Sequence, residues 1–249
     1  MKNTKVEWDT SKLFDGKLEE YINCLKANCK KRHEWTYIYV SLDVKGKDNI
    51  YKSFLYYTQP DQLVGENTYY FDEEYGRQPA EKGLRFKSFP PVLFLQLKRF
   101  DYDFDLDRVV KLGSKLEYPV QLNLIQFLHA EEQVNDHDTA YVLQSVLVYM
   151  GNGSAGHFVV YSNPACDGQW FRFDDSFVRQ ATLQEATEDN YGKGNGTISS
   201  VWDESTLAYT LVYIQKSRME EILKEITLDD IPSALQKRME AEKVKADIF

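Results

Sequence analysis

The sequence predicts an α+β fold dominated by antiparallel sheet. Two observations carry that class. From Thr36 onward, apolar and polar residues alternate in one short segment after another, and the later segments follow each other across short loops with no helical stretch between them. At Ser217 the pattern changes to a helical period that runs to the end of the chain.

The elements follow in order. Residues 16–31, GKLEEYINCLKANCKK, place Leu18, Tyr21, Ile22 and Leu25 at helix-face spacing, which predicts a helix or an irregular segment holding one helical turn. In TYIYVSLDVKG, Ile38, Val40, Leu42 and Val44 alternate with Tyr37, Tyr39, Ser41 and Asp43, the period of a half-buried strand. PPVLFLQLKRF sets Leu93, Leu95 and Leu97 on one face of a strand, and KLEYP, YVLQSVLVYM, HFVVYS, QWFRFDD and LAYTLVYIQ repeat the theme. In the tail, Met219, Ile222, Leu223 and Ile226 have helical spacing, Asp229-Asp230-Ile231-Pro232 breaks it, and LQKRMEAEKVKADIF forms a second, charged helix.

Composition narrows the function. With 249 residues, 43% hydrophobic and 14% aromatic, the chain has ample material for a packed core. The first 30 residues are charged and lack the apolar core of an export signal, and no apolar run approaches the ~18 residues of a membrane span. A net charge of -9 argues against nonspecific nucleic-acid binding, which needs a basic surface, and favours a neutral or basic protein partner. Three cysteines, Cys24, Cys29 and Cys166, suit a reducing compartment, nucleus or cytosol, better than a disulfide framework.

The stretch GSAGHFVVYSNPACDGQWFRFDD carries the chemistry. If HFVVYS and QWFRFD form a hairpin about the loop Asn163–Gly168, opposing residue numbers share a constant sum, and His157 falls opposite Asp174 on one face. A slip of one residue leaves Asp175 as the partner instead. A carboxylate behind an imidazole is the base-plus-orienter half of a nucleophilic triad; the same pair is also an ordinary polar cross-strand contact.

A nucleophile for His157 is harder to find. Cys166 sits in the turn at the hairpin's far end, about 17 Å away at the rise of a strand. Cys24 and Cys29 lie in or after the helical pattern and read as packing residues. Ser154 in NGSAG has Asn152 rather than glycine two residues before it, and a strand rather than a helix after it, so it is no nucleophile elbow. Two cysteines five apart make half a zinc site, no HExxH occurs, and Leu106 stands where the glycine of a calcium loop belongs in DYDFDLD. No metal or cofactor is expected, and the four aspartates of that run read as a solvated loop or a docking patch for basic residues.

PPVLFLQLKRFDYD, AGHFVVY, WFRFDD and AYTLVYI resemble the C-terminal boxes of the ubiquitin-specific proteases, and the resemblance runs in order through nearly the whole chain. It implies a papain-like cysteine protease fold shaped as a hand. Residues 1 to about 80 are similar to the later fingers and their junction with the palm, 85–216 to the palm, and 217–249 to a helical extension toward further domains. By the family motif His157 is similar to the general base, Asp174 to its orienting acid and Asp175 to the neighbouring acid. Arg99, Phe100, Asp101, Asp103, Gly156 and Phe158 are implied to contact ubiquitin, the loops at 101–110 and 150–156 lying over its arginine-bearing tail. Phe158 stands where the family usually has tyrosine.

The family's thumb, with its G-N-T-C-Y box and oxyanion asparagine, is absent from the sequence, and Met1 stands at a point similar to the interior of the fingers. The expectation is therefore a partial deubiquitinase catalytic domain that binds ubiquitin and ubiquitinated proteins but does not hydrolyse them alone. The alternative is a ubiquitin-binding or decoy module, and a weaker one a metal or serine hydrolase reusing the His/Asp pair.

Overall fold

The computed structural model describes residues 9–105, 107–129, 139–151, 155–193, 206–225 and 227–246. Leu106, Ser154 and Ile226, singled out above, lie outside the described residues, as do the last three residues of the predicted tail helix. The chain divides into two compact units, Met1–Arg218 and Met219–Phe249.

The first unit begins with α1 (Asp9–Phe14), β1 (Gly16–Cys24), β2 (Lys30–Tyr37), β3 (Tyr39–Asp43) and α2 (Ile50–Thr58). It continues with β4 (Asp61–Leu63), β5 (Tyr69–Tyr70), β6 (Arg77–Gln78), β7 (Ala80–Ser88), β8 (Val92–Lys98), β9 (Phe100–Asp103) and β10 (Arg108–Lys111). Then come β11 (Gln121–Asn123), β12 (Ala140–Gly151), β13 (Gly156–Ser162), β14 (Trp170–Asp174), β15 (Phe177–Ala181), α3 (Leu183–Ala186) and β16 (Thr206–Gln215). The second unit holds α4 (Met219–Ile222) and α5 (Ser233–Ala246), with a short 3-10 turn at Leu228–Asp230 where the tail pattern breaks.

Two sheets organise the first unit. One has four strands in the order β2-β1-β7-β4; the other runs β15-β14-β13-β12-β16-β8-β3, with β11 also on β12. Among the described residues every strand pairs antiparallel with its neighbours except β3 with β8, whose residues run Tyr39↔Phe94 to Asp43↔Lys98 in parallel. That one exception leaves the sheet dominated by antiparallel pairing, as the sequence predicts. It arises because the chain between β3 and β8 leaves to build α2 and four further strands before returning, a crossover long enough to reverse direction.

The segment 16–31 is not helical. Leu18, Tyr21 and Ile22 lie in β1, the strand between β2 and β7, and its pseudo-helical spacing has a different origin. Leu18 belongs to the main core, whereas Ile22, four residues on, packs in a separate small cluster with Cys29, Phe71 and Ala80, and Tyr21 points to the other face under Arg85. Three burial sites on two faces of one strand imitate a helix stripe.

In the next segment Val40, Leu42 and Val44 are buried as their alternation requires, but Ile38 is 59% exposed. It sits in the bend between β2 and β3, where the chain passes from one sheet to the other. KLEYP is not a named strand; it makes one isolated bridge, Asn49↔Glu117, beside the start of α2. That helix is capped by the Asn49 side chain, which accepts from the Lys52 N–H at 3.0 Å, and it buries Ile50 and Phe54 against the sheet. Phe54 stacks on Phe127 and meets Phe86 edge-on, so one face of the large sheet is closed by aromatic rings. Leu93, Leu95 and Leu97 of β8 are all fully buried.

Candidate active site

His157 is the second residue of β13, opposite Met150 of β12. On its other side β13 pairs with β14 through Val160↔Phe173, Tyr161↔Arg172 and Ser162↔Phe171. These partners sum to 333, not the 331 expected for a six-residue loop, because the ladder starts at Ser162↔Phe171 and both Gln169 and Trp170 fall on the loop side of that pair. Asp174 therefore lies diagonal to His157 rather than opposite it. A shift of two keeps every side chain on its own face, and diagonal neighbours remain within reach of long side chains. His157 Nε2 lies 2.6 Å from Asp174 Oδ1.

The ladder between β13 and β14 stops at Val160↔Phe173, so the site sits where the strands part and the imidazole is half exposed. A carboxylate only accepts, which places the proton on Nε2 and leaves Nδ1 as the basic nitrogen. Asp174 is held from its other oxygen as well: Arg172, two residues back on the same face, donates to Oδ2 at 2.7 Å. The hydrogen bond from His157 and the charge of Arg172 outweigh desolvation and hold the carboxyl below its ordinary pKa, so it is ionised at neutral pH. Arg172 was not singled out from the sequence, although its i, i+2 spacing to Asp174 marks it as a same-face neighbour.

Asp175 occupies the turn between β14 and β15 at φ 50, a left-handed conformation that aspartate tolerates. Its carboxylate, that of Asp174 and the His157 ring each offer an atom within 4.8 Å of the others, the one such metal-ligand group among the described residues. Both Asp174 oxygens are already engaged, so a cation there would have to displace an ion pair.

The other predicted residues divide. Phe158 follows His157 and faces the opposite side of the sheet, where its ring packs on Tyr149 and Tyr209, and Phe100 packs on the same two tyrosines. Gly156 is where this cluster meets the loop before His157. A Cβ on Gly156 would lie 2.2 Å from the Tyr149 ring, and Tyr149 is buried against Phe100 and Phe158. Gly156→Ala is expected to destabilise the fold by about 1–3 kcal/mol through overpacking, read as a lower midpoint in urea unfolding. Lys111 Nζ donates to the Gly151 carbonyl at 2.5 Å and ties that end of β12 to β10. Residues 152–154 of the loop lie outside the described residues.

The aspartate run is a hairpin rather than a loop, with Arg108↔Asp103 to Lys111↔Phe100 joining β9 and β10. Asp101 pairs with Lys45 at 3.2 Å, and Asp103 accepts from the Asp105 N–H at 3.0 Å. Phe104 is largely exposed at its tip. Arg99 departs from its expected role as a ubiquitin contact. It is 1% exposed, and its guanidinium donates to the carbonyls of Ala208 (3.1 Å), Leu112 (3.5 Å), Ser114 (2.5 Å) and Tyr191 (3.0 Å). Burial pulls its pKa down to about 10, still cationic at neutral pH. Arg99 is a bracket inside the protein, not a surface for a partner.

The three cysteines lie elsewhere. Cys166 is in the β13–β14 loop at φ 54, and burial pushes its thiol up to about 11. Cys24 and Cys29 flank the β1–β2 turn in the four-stranded sheet.

Comparison with known proteins places this arrangement. The ubiquitin carboxyl-terminal hydrolase family model matches residues 1–213. Among similar proteins, the Drosophila melanogaster ubiquitin carboxyl-terminal hydrolase 7 is 41% identical over 98% of this chain and 21% of its own length. The Schizosaccharomyces pombe ubiquitin carboxyl-terminal hydrolase 5 is 37% identical over 96% and 22%, and the Arabidopsis thaliana ubiquitin C-terminal hydrolase 12 is 35% identical over 98% and 23%. The chain thus spans about a fifth of the length of the relatives it matches. Its mixed sheets and few helices are those of an α+β, papain-like fold. On sequence and architecture together, the chain belongs to the ubiquitin carboxyl-terminal hydrolase family, in its ubiquitin-specific protease branch.

Proposed function

We propose that this chain supplies the imidazole and carboxylate of a cysteine-type deubiquitinase, which hydrolyses the isopeptide bond after the C-terminal glycine of ubiquitin. The observation that carries the reading is the 2.6 Å contact of His157 Nε2 with Asp174 Oδ1 at the open end of β13. Nδ1 of His157 takes the proton of a cysteine thiol, and Asp174 stabilises the imidazolium that results. The thiolate attacks the glycine carbonyl carbon, and the imidazolium returns its proton to the leaving lysine amine. Water, deprotonated by the same imidazole, then releases ubiquitin and restores the thiol. The reading takes ubiquitin and ubiquitinated proteins as partners, and the nucleus and cytosol, where thiols stay reduced, as the compartment.

The thiol in this scheme comes from outside residues 1–249. The sequence holds no G-N-T-C-Y box, and its three cysteines lie away from His157. A ubiquitin probe with a C-terminal electrophile is expected to leave the 249-residue chain unlabelled. Covalent labelling of that chain would overturn the assignment.

The two acids separate by substitution in the protein that carries the thiol. Asp174→Asn keeps an acceptor for the Nε2–H and is expected to retain more activity than Asp174→Ala. Asp175→Ala, which removes no hydrogen bond to His157, is expected to cost less than either. Steady-state hydrolysis of a ubiquitin conjugate gives the order, and a larger loss at Asp175 would reassign the orienting acid.

A further inference from the structure

Among the described residues, two of the three cysteines meet at the end of the β1–β2 hairpin. The register Gly16↔Tyr37 to Asn23↔Lys30 continues to Cys24 opposite Cys29, and the Cys24 N–H donates to the Cys29 carbonyl at 2.9 Å. A hydrogen-bonded antiparallel pair sets its Cα atoms about 5.5 Å apart, inside the roughly 4.4–6.8 Å span that a disulfide bridges without backbone movement. Both thiols are free.

The two sulfurs differ in surroundings. Cys24 is partly exposed, and its sulfur accepts from the backbone N–H of Ala27 at 3.2 Å as the turn folds back over it. Burial pushes the Cys24 thiol up, but the hydrogen bonds from Cys29 and from the Lys26 and Ala27 backbone outweigh it and hold its pKa below the ordinary value. Cys29 is buried in the small cluster with Ile22, Phe71 and Ala80. Burial, then its contact with Cys24, raises its thiol to about 11. One cysteine is poised to be oxidised, and its neighbour is placed to resolve it.

We propose that Cys24 and Cys29 are a modification site, a reversible disulfide formed by reaction with a peroxide. The Cys24 thiolate attacks a peroxide oxygen, the O–O bond breaks, and Cys24 becomes a sulfenic acid while the other oxygen leaves, with a proton, as water. The Cys29 sulfur then attacks the Cys24 sulfur. The S–S bond forms, the S–O bond breaks, and the hydroxyl leaves with the Cys29 proton as a second water. Two thiols and one hydrogen peroxide give one disulfide and two waters, and a dithiol reverses the change. The bond spans the turn Leu25–Asn28 and locks the end of the hairpin; it does not depend on the role assigned to His157.

Trypsin tests this directly, because Lys26 lies between the cysteines and cleavage separates residues 18–26 from 27–30. The protein is treated with hydrogen peroxide, denatured in iodoacetamide and digested. The expected result is loss of both alkylated peptides and appearance of the linked pair, reversed by dithiothreitol, while Cys166 remains alkylated. In Cys29→Ser the reaction is expected to stop at Cys24, trapped by dimedone as the sulfenic acid; in Cys24→Ser, Cys29 is expected to stay alkylatable. Oxidation of Cys166 at doses that leave both hairpin cysteines alkylated would overturn the proposal, as would equal trapping of either cysteine in the two single variants.

Discussion

His157→Ala, made in the protein that carries the family thiol, is expected to lower kcat/KM for a ubiquitin conjugate by about 10²- to 10⁴-fold, the usual contribution of a positioned general base. Under the proposed mechanism the loss belongs in kcat, because the imidazole would act on the thiol proton and not on the binding surface of ubiquitin. Stability is expected to change by only about 0.5 kcal/mol or less, since the side chain is 45% exposed and anchors no core residue. Stopped-time hydrolysis of the conjugate and thermal unfolding of the same preparations check both halves. A fall in activity that tracks a fall in melting temperature would show a structural rather than a chemical role.

Arg99→Ala is expected to do the reverse, costing roughly 3–5 kcal/mol of stability, the scale of leaving a buried charge site without its partner. Four backbone carbonyls, from Leu112, Ser114, Tyr191 and Ala208, receive the guanidinium, and they belong to segments far apart in the chain. Removing the donor strands acceptors that the packed fold keeps from water. Arg99→Lys is expected to recover less than half of the loss, because a single ammonium cannot present the planar fan of donors that reaches all four. The urea midpoint measures the loss. Weakened ubiquitin binding at unchanged stability would instead restore Arg99 to the surface role that the family motif implied.

That reversal shows where sequence reasoning reaches its limit. Position 99 follows the alternating strand β8, and nothing in LQLKRF distinguishes an arginine that faces ubiquitin from one folded back over carbonyls brought from residues 112–208. Leu93, Leu95 and Leu97 were legible because a strand's inward face is set by a period of two that needs no knowledge of its partners. Leu18, Tyr21 and Ile22 were misread for the complementary reason: β1 serves two separate cores and both faces, so its apolar spacing reports the surroundings and not the strand's own period.

The His157–Asp174 contact lies between these cases. Local pattern placed the two residues on adjoining strands and on one face, and it did so despite a register wrong by two, because parity survives an even slip. The hydrogen bond itself required the diagonal approach at the point where β13 and β14 part, and so did Arg172 on the far side of the carboxylate. Family, fold class and the approach of His157 to Asp174 were therefore written in short-range order along the chain. The register, the inward turn of Arg99, the parallel pairing of β3 with β8 and the meeting of Cys24 with Cys29 were settled by long-range packing. Side-chain period is a property of the strand alone, whereas register, burial and cross-strand contact are properties of the partners the strand meets.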